Sequence, residues 1–268
     1  MTGRLAILAC GGALPVALAR NNPDAVLICF AGVPHGLGAE AEEHSFEKLG
    51  TLIERLHGAG VTRVVLAGNL ARPTLDPAVF DAATTALAPN LMTAMQGGDD
   101  ALLSAVISVF EAQGFAVLGA HELLPDLTAR EGLCLGPPPD ATAEMDAARA
   151  ADILAALSPL DIGQGCVVAG GQCLGIETVQ GTDALLRFVA ATDPACRPKA
   201  PGVFVKAAKR GQDLRVDMPA IGPATIKAVA AAGLAGLVIE PGRVMILERD
   251  KTLAALADSG LFLATRAL

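Results

Sequence analysis

Short aliphatic runs that alternate with longer helical patterns constrain the fold of this chain more than any other feature of its sequence. Between residues 4 and 120 these runs are continuously apolar, as expected for strands that are covered on both faces. Strands separated by helix-length segments indicate crossover connections and therefore a parallel sheet. The N-terminal half predicts an open, doubly wound, Rossmann-like α/β domain. Its predicted strands are 4–9, 25–30, 63–67 and 115–118, and its predicted helices are 14–20, 48–59 and 99–113.

A proline-rich stretch predicts where the chain divides. Residues 136–139 read Gly-Pro-Pro-Pro, which continues neither a helix nor a central strand. Since 268 residues suit two compact domains, we expect the Rossmann-like domain over 1–136 and a mixed α/β domain over 137–268. Asp140 or Thr142 should cap the first helix of the second domain, which runs to about residue 157. The other predicted elements are strands 165–169, 173–178, 203–207, 236–239 and 244–247, with a hairpin over 165–177, and helices 182–191, 223–232 and 251–258.

Charge and composition exclude several classes of function. The net charge of −8 argues against nucleic acid as a partner, because binding to a phosphate backbone needs a concentrated basic surface. The apolar runs are far shorter than the ~20 residues of a membrane-spanning helix, so we expect a cytoplasmic protein. The six cysteines form no CxxC pair and are expected to be reduced structural thiols, and a zinc site is not expected.

A pair of glycines follows the first predicted strand. Gly11 and Gly12 stand where a helix opens, and backbone N–H groups at such a turn can bind an anion. The full GxGxxG fingerprint is absent, and no acidic residue ends the second predicted strand. A tight turn and a contact with nucleotide or phosphate are both left open.

Two further segments place carboxylates near helix starts. Asp99 and Asp100 precede an apolar helix, where one can serve as N-cap while the other binds substrate or metal. Glu177 ends an apolar strand, and a buried carboxylate there needs a cation or a hydrogen-bond partner. Thr182 or Asp183 is expected to cap the helix that follows.

The densest charged stretch runs from Lys206 to Asp217. It directly follows an apolar strand, and its cations alternate with two carboxylates. If Asp213 and Asp217 hold a divalent cation while Lys206, Lys209 and Arg215 neutralise phosphate oxygens, a diphosphate would be polarised for attack by water. A solvated loop with weak salt bridges is the alternative.

Six segments carry a resemblance that spans almost the whole chain. They are CGGALP at 10–15, GGDDALL at 97–103, LGAHELL at 118–124, DIGQGCVV at 161–168, GIETVQGTDALL at 175–186 and VFVKAAKRGQDLRVDMPAIGPATI at 203–226. In these segments the chain resembles the UDP-2,3-diacylglucosamine pyrophosphatases of the LpxI type. The last segment is the most specific of the six.

The resemblance implies a function that composition and spacing do not name. It implies hydrolysis of UDP-2,3-diacylglucosamine, with Mg²⁺ or Mn²⁺, to 2,3-diacylglucosamine 1-phosphate (lipid X) and UMP in lipid A biosynthesis. It also implies two α/β domains that hold this nucleotide-diphosphate lipid-sugar between them, with an apolar groove for the acyl chains. We expect a homodimer whose acylated substrate brings it into peripheral contact with the inner membrane.

The candidate site residues combine both lines of reasoning. The catalytic candidates are Asp213 and Asp217, and the metal candidates are Asp213, Asp217 and Glu177. The substrate-binding candidates are Gly11, Gly12, Asp99, Asp100, Thr182, Asp183, Lys206, Lys209, Gln212 and Arg215.

One position departs from the family pattern. An acidic residue usually stands before the Thr of the IGPxTI segment, where this chain has Ala224. The absence of that residue would remove a ligand or a base, so we hypothesise an inactive variant, natural or introduced, that still binds substrate. A non-catalytic nucleotide-sugar binding protein and a nucleotide-dependent oxidoreductase are the competing interpretations.

Overall fold

The computed structural model describes residues 3–71 and 73–268, and Asp99 by its backbone alone. The chain divides into two compact units. The first comprises Met1–Pro125 together with Asp213–Asp217, and the second comprises Asp126–Gln212 and Met218–Leu268. The short segment Asp213–Asp217 therefore belongs to the first unit, although it is distant from the rest of that unit in sequence.

The first unit is built on a parallel sheet, as the sequence predicts. Its strand order is β3-β2-β1-β4-β5. Each predicted strand and helix is present, with ends that shift by at most two residues. The elements are β1 (Arg4–Ala9), α1 (Leu14–Asn21), β2 (Val26–Phe30), β3 (Glu42–His44), α2 (Leu49–Gly58), β4 (Val61–Ala67), α3 (Ala82–Gln96), α4 (Asp99–Ala112), β5 (Ala116–Leu118) and α5 (Ala120–Leu123).

The core of the first unit explains why its central strands are continuously apolar. Leu52 and Leu56 of α2 and Phe110 of α4 pack with strand residues such as Ile28 and Val64 in one buried cluster. The strand order changes direction between β1 and β4, and ligands of open α/β sheets bind beyond the carboxyl ends of strands at such a point. Gly11 follows one of these strands, and Gly68 follows the other.

Three elements of the first unit are absent from the prediction: helix α3, strand β3 and the short helix α5. Helix α3 contains Pro89, which normally argues against a helix interior. It is secured at its start by Asp81, whose carboxylate accepts the backbone N–H groups of Thr84 at 2.7 Å and Thr51 at 3.0 Å. Strand β3 is an edge strand of polar residues and carries no apolar signal.

The second unit is built on a mixed sheet, as expected. Its strand order is β6-β13-β11-β9-β7-β8, in which β9, β11 and β13 are parallel and the others pair antiparallel. A small parallel pair, β10 and β12, lies outside this sheet. The elements are β6 (Cys134–Leu135), α6 (Ala141–Leu157), β7 (Gly165–Ala169), β8 (Gln172–Ile176), α7 (Thr182–Ala190), β9 (Val203–Lys206), β10 (Ala220–Ile221), α8 (Pro223–Ala231), β11 (Gly236–Ile239), β12 (Met245–Ile246), α9 (Arg249–Ser259) and β13 (Phe262–Thr265).

Both faces of this sheet are covered. Helix α6 packs on one face, where its Ala150 and Leu154 join Val203 and Val205 of β9. Helices α7, α8 and α9 pack on the opposite face around Phe204. Strands β8, β9 and β11 run in the same direction, so the residues that follow them stand at one edge of the sheet. We call this edge the carboxyl edge of the second sheet.

The predicted hairpin is confirmed. Strands β7 and β8 are joined through Gly170 and Gly171, whose φ angles of 53° and 77° suit the tight turns of two-residue hairpins. The buried carboxylate of Asp146 on α6 accepts both glycine N–H groups, at 2.9 and 2.7 Å. The turn is thus held against α6.

Among the described residues, no helix combines the length and apolarity that crossing a membrane would require.

Candidate functional site

Lys206 is the most buried cation among the candidate residues. It is the last residue of β9 and is only 3% exposed. Its ammonium donates to both carboxylate oxygens of Glu177, at 3.2 and 3.0 Å, and to the hydroxyl of Thr182. An ammonium has three donors, so these acceptors account for them.

The chain brings this cluster together through its strand ends. Glu177 directly follows β8, and Thr182 is the first residue of α7. Gly165 on β7 makes room for the carboxylate, because a Cβ at this position would lie 2.5 Å from Glu177 Oε2. Lys206 supplies the cation that a buried carboxylate at the end of β8 requires. The capping prediction for Thr182 or Asp183 is wrong, since Gly181, with a φ of 81°, is the N-cap and no side chain caps the helix.

The loop after β9, residues 207–212, is held by hydrogen bonds along its backbone. The N–H of Ala207 donates to the carbonyl of Gln164 at 2.9 Å, and the N–H of Arg210 donates to the Ser158 hydroxyl at 2.6 Å. The N–H of Lys209 donates to Gln212 Oε1 at 3.0 Å. These three N–H groups are therefore not available to an anion.

Lys209 is the loop cation with the more accessible partner. Its ammonium pairs with Asp161, whose side chain is 44% exposed. A partner in such contact with water can exchange for another anion at little cost. Lys206, in contrast, pairs with Glu177, whose side chain is only 11% exposed.

Glu240 and Arg243 also belong to this edge but are absent from the predicted site residues. Glu240 directly follows β11, and its Oε2 accepts the backbone N–H of Ala208 at 3.1 Å. Its Oε1 lies 3.0 Å from Nε of Arg243. Both side chains therefore belong to the network around the loop. The signal was present in the sequence, because Glu240 ends a buried strand just as Glu177 does.

The acidic candidates Asp213 and Asp217 lie in the segment that belongs to the first unit. The guanidinium of Arg215 lies 2.7 Å from Asp213 Oδ2 and 2.7 Å from Glu111 Oε1. Hydrogen bonding from Arg215 lowers the pKa of the Asp213 carboxyl, and Asp213 and Glu111 raise the pKa of Arg215. The backbone N–H of Asp217 donates to the carbonyl of Asp213 at 3.2 Å, which closes a turn.

The glycine turn of the first unit is a close backbone contact. Gly11 exchanges two backbone hydrogen bonds with Asn69, both 2.9 Å long, so the Gly11 N–H is not offered to an anion. Gly12 and Gly68 have positive φ angles of +94° and +99°. Gly68 has no space for a side chain, because a Cβ there would lie 2.3 Å from the Gly11 oxygen. The tight-turn interpretation accounts for these glycines.

A shallow cavity of about 360 Å³ lies beside this turn in the first unit. It is lined by residues that follow β2, β3 and β4, among them Pro34, Phe46, Glu47, Asn69 and Leu70. The hydroxyl of Ser45 donates to the Glu47 carboxylate and lowers the pKa of that carboxyl. The described residues that line it are mainly apolar, and Glu47 is the ionisable side chain among them.

The remaining candidates stand at helix starts. Asp99 and Asp100 are the first two residues of α4, and the N-cap is Gly98 with a φ of 103°. The prediction that one of the two aspartates is the N-cap is therefore wrong. Ala224 is exposed in the first turn of α8, where the Gly222 N–H donates to the hydroxyl of Thr225 at 3.2 Å.

The described residues contain no group of three or more His, Cys, Asp or Glu side chains placed to hold a metal ion. Glu177 is engaged by Lys206, and Asp213 is engaged by Arg215. These two carboxylates therefore do not offer free oxygens to Mg²⁺, which binds oxygen ligands in a near-octahedral arrangement. The metal remains a prediction from the resemblance.

Comparison with known proteins covers nearly the entire chain. The family model described as the LpxI N-terminal domain matches residues 4–127, and the model described as the LpxI C-terminal domain matches residues 130–264. The chain is also similar to the UDP-2,3-diacylglucosamine pyrophosphatase LpxI of Caulobacter vibrioides. The two are 38% identical over 97% of this chain and 96% of that relative.

Proposed function

Because this chain belongs to the LpxI family, we propose that it hydrolyses the diphosphate of UDP-2,3-diacylglucosamine to lipid X and UMP in lipid A biosynthesis. The observation that carries this proposal is the 38% identity, over 97% of the chain, to a relative that is named for this pyrophosphatase activity. The charged network at the carboxyl edge of the second sheet supports this proposal, because hydrolysis of a diphosphate needs cations that stabilise developing negative charge. This network consists of Glu177, Lys206, Lys209, Glu240 and Arg243.

Within this network we assign contact with the diphosphate to Lys209. Its loop is fixed by backbone hydrogen bonds, and its partner Asp161 is half-exposed, so a phosphate oxygen can replace that carboxylate. Lys206 would have to give up Glu177 and Thr182 to reach a ligand. We therefore propose that Lys206 holds these two side chains in place and that Lys209 neutralises charge on the substrate.

The test is a hydrolysis assay with the purified chain. UDP-2,3-diacylglucosamine in detergent micelles is incubated with the protein, and UMP and lipid X are measured by mass spectrometry. From the family resemblance we expect A224D to show turnover that EDTA abolishes and Mg²⁺ or Mn²⁺ restores, and the chain with Ala224 to turn over far more slowly. Formation of neither product by this chain or by the A224D variant would contradict the proposed function.

We propose further that Ala224 impairs turnover while binding is kept. Ala224→Asp should raise kcat by orders of magnitude if a missing acidic group is responsible. When catalytic groups act as a unit, the absence of one of them removes most of the activity. Ala230→Asp, at an exposed position near the other end of α8, is the control and should leave kcat unchanged. Equal rates for the native chain and A224D would refute the impairment.

Binding without hydrolysis is the outcome that favours a nucleotide-sugar binding protein. Stabilisation by UDP-sugars in a thermal-shift assay, without turnover even in A224D, would support that function. Absorbance from a bound nicotinamide or flavin in the purified protein would instead support an oxidoreductase. We also propose a cytoplasmic homodimer in peripheral contact with the membrane, for which light scattering with and without lipid vesicles is the measurement.

A further inference from the structure

Glu240 connects two loops at the carboxyl edge of the second sheet. Its side chain is only 13% exposed, and each carboxylate oxygen has a different partner. Oε2 accepts the N–H of Ala208 in the loop after β9, at 3.1 Å. Oε1 lies 3.0 Å from Nε of Arg243 in the turn after β11. Glu240 therefore ties the position of one loop to the other.

Arg243 contacts the next residue of the same loop. Its Nη2 donates to the carbonyl oxygen of Lys209 at 3.4 Å. The Glu240–Arg243 ion pair thus holds the backbone at two successive residues, Ala208 and Lys209. Because the Lys209 N–H is taken by Gln212 Oε1, both polar backbone groups of Lys209 are engaged.

We propose that Glu240, acting with Arg243, is a positioning residue that directs the Lys209 ammonium towards the diphosphate of the substrate. This inference rests on the proposed function, in which Lys209 contacts phosphate oxygens. A lysine carries its charge on a flexible side chain, so the position of its backbone determines which positions the ammonium can reach.

A second ion pair in the same unit provides a matched control. Glu248 and Lys251 have the same i,i+3 spacing as Glu240 and Arg243, but their side chains are 35% and 74% exposed. Glu248→Ala therefore removes a pair of the same kind from a position outside the proposed site. Any general effect of losing a Glu–cation pair should appear in both variants.

The first measurement is amide hydrogen exchange of residues 208–210, which needs no substrate. Glu240→Ala should remove protection at Ala208, whereas Glu240→Gln should keep it, because the amide oxygen of Gln still accepts the N–H. Glu248→Ala should leave the loop protected as in the native chain. Equal protection in Glu240→Ala and the native chain would overturn the anchoring of the loop.

The second measurement is a double-mutant cycle on substrate affinity. Glu240→Ala should raise Kd and KM for UDP-2,3-diacylglucosamine about tenfold, with little change in kcat, and Glu240→Gln should restore most of the affinity. In a Lys209→Ala background the same substitution should have almost no further effect, because the residue that it positions is gone. A purely structural role predicts additive effects instead.

The outcomes separate this proposal from the proposed function. Additive effects, or unchanged affinity in Glu240→Ala, would overturn the positioning role while the native chain still binds substrate. Absence of substrate binding by both the native chain and A224D would contradict the proposed function, and the positioning role would fall with it.

Discussion

The two sheets end in different ways at their carboxyl edges. In the first unit, β1 and β4 are followed by Gly11 and Gly68, and the Gly11 backbone lies too close to Gly68 to admit a side chain there. In the second unit, β8, β9 and β11 are followed or ended by Glu177, Lys206 and Glu240, which form ion pairs and hydrogen bonds. One edge is shaped by the backbone, and the other is shaped by charged side chains.

The two edges therefore differ in what they can offer a ligand. A close backbone contact fixes the shape of a surface but offers little charge. A network of cations and carboxylates can stabilise the negative charge that develops as a diphosphate is cleaved, but it remains stable only while each buried charge keeps its partner. The glycine edge should therefore be sensitive to added volume, and the charged edge should be sensitive to lost partners.

The largest effect is expected from breaking the buried pair of the charged edge. Lys206→Ala leaves the Glu177 carboxylate without its cation, and both side chains are largely buried, 4% and 11% exposed. We expect the free energy of unfolding to fall by about 3–5 kcal/mol. The chain contains no Trp or Tyr, so urea unfolding followed by far-UV circular dichroism is the measurement.

Two further variants test the cause of that loss. Replacing both partners, Lys206→Met with Glu177→Leu, should recover much of the stability, because no unpaired charge is then buried. Lys251→Ala, which breaks the exposed pair with Glu248, should change stability far less. A Lys206→Ala variant as stable as Lys251→Ala would show that the charges are not desolvated.

A smaller effect is expected from adding one methyl group to the glycine edge. Gly68→Ala forces a positive φ on alanine and places its Cβ 2.3 Å from the Gly11 oxygen. The backbone strain alone costs about 1–2 kcal/mol, and the contact with Gly11 adds to it.

Gly32 provides the control for this substitution. It also has a positive φ, +74°, but nothing lies within 4 Å of its would-be Cβ, so Gly32→Ala should cost only about 1–2 kcal/mol. Thermal unfolding of both variants is the measurement. Equal losses would mean that the contact between Gly68 and Gly11 does not restrict the turn.

The smallest effect concerns the pH dependence of Asp213. Arg215 lowers the pKa of this carboxyl in the folded chain, so its contribution to stability is full above the ordinary pKa, about 3.9. The contribution is lost as the pH falls through the lowered, folded-state pKa. Because both side chains are about one third exposed or less, 28% and 33%, we expect about 1 kcal/mol at most.

The variant Asp213→Asn measures this contribution directly. It should be slightly less stable than the native chain at neutral pH, and the difference should disappear in acid, as followed by urea unfolding across pH. A difference that stays constant down to pH values well below about 3.9 would assign the loss to packing.

The fold was predictable where local sequence decides it. Continuous apolar runs gave β1, β7 and β11 with the bounds that the structure has, and Asp140 caps α6 as expected, accepting the Ala143 N–H at 2.8 Å. Strand β13 was missed because it takes its place by pairing with β11, which local sequence does not reveal. Helix α3 was missed because Pro89 interrupts its pattern.

The site was predictable only in part, for a related reason. The need of Glu177 for a partner followed from its place after an apolar strand, but its partner Lys206 lies 29 residues away and is brought near by sheet order. The caps of α4 and α7 were assigned to polar side chains, whereas Gly98 and Gly181 occupy both positions in the structure. Glycine leaves the neighbouring side chains available, as Thr182 shows by contacting Lys206.

The placement of Asp213–Asp217 with the first unit has a consequence for anyone who dissects this protein. The polypeptide passes between the units at three points, so neither half is a single uninterrupted stretch of chain. A fragment cut after residue 125 would lack the five residues that bring Arg215 to Glu111 and Val216 to the first core. Splitting the gene at that point would therefore yield an incomplete N-terminal fragment, which a peptide spanning these five residues should complement.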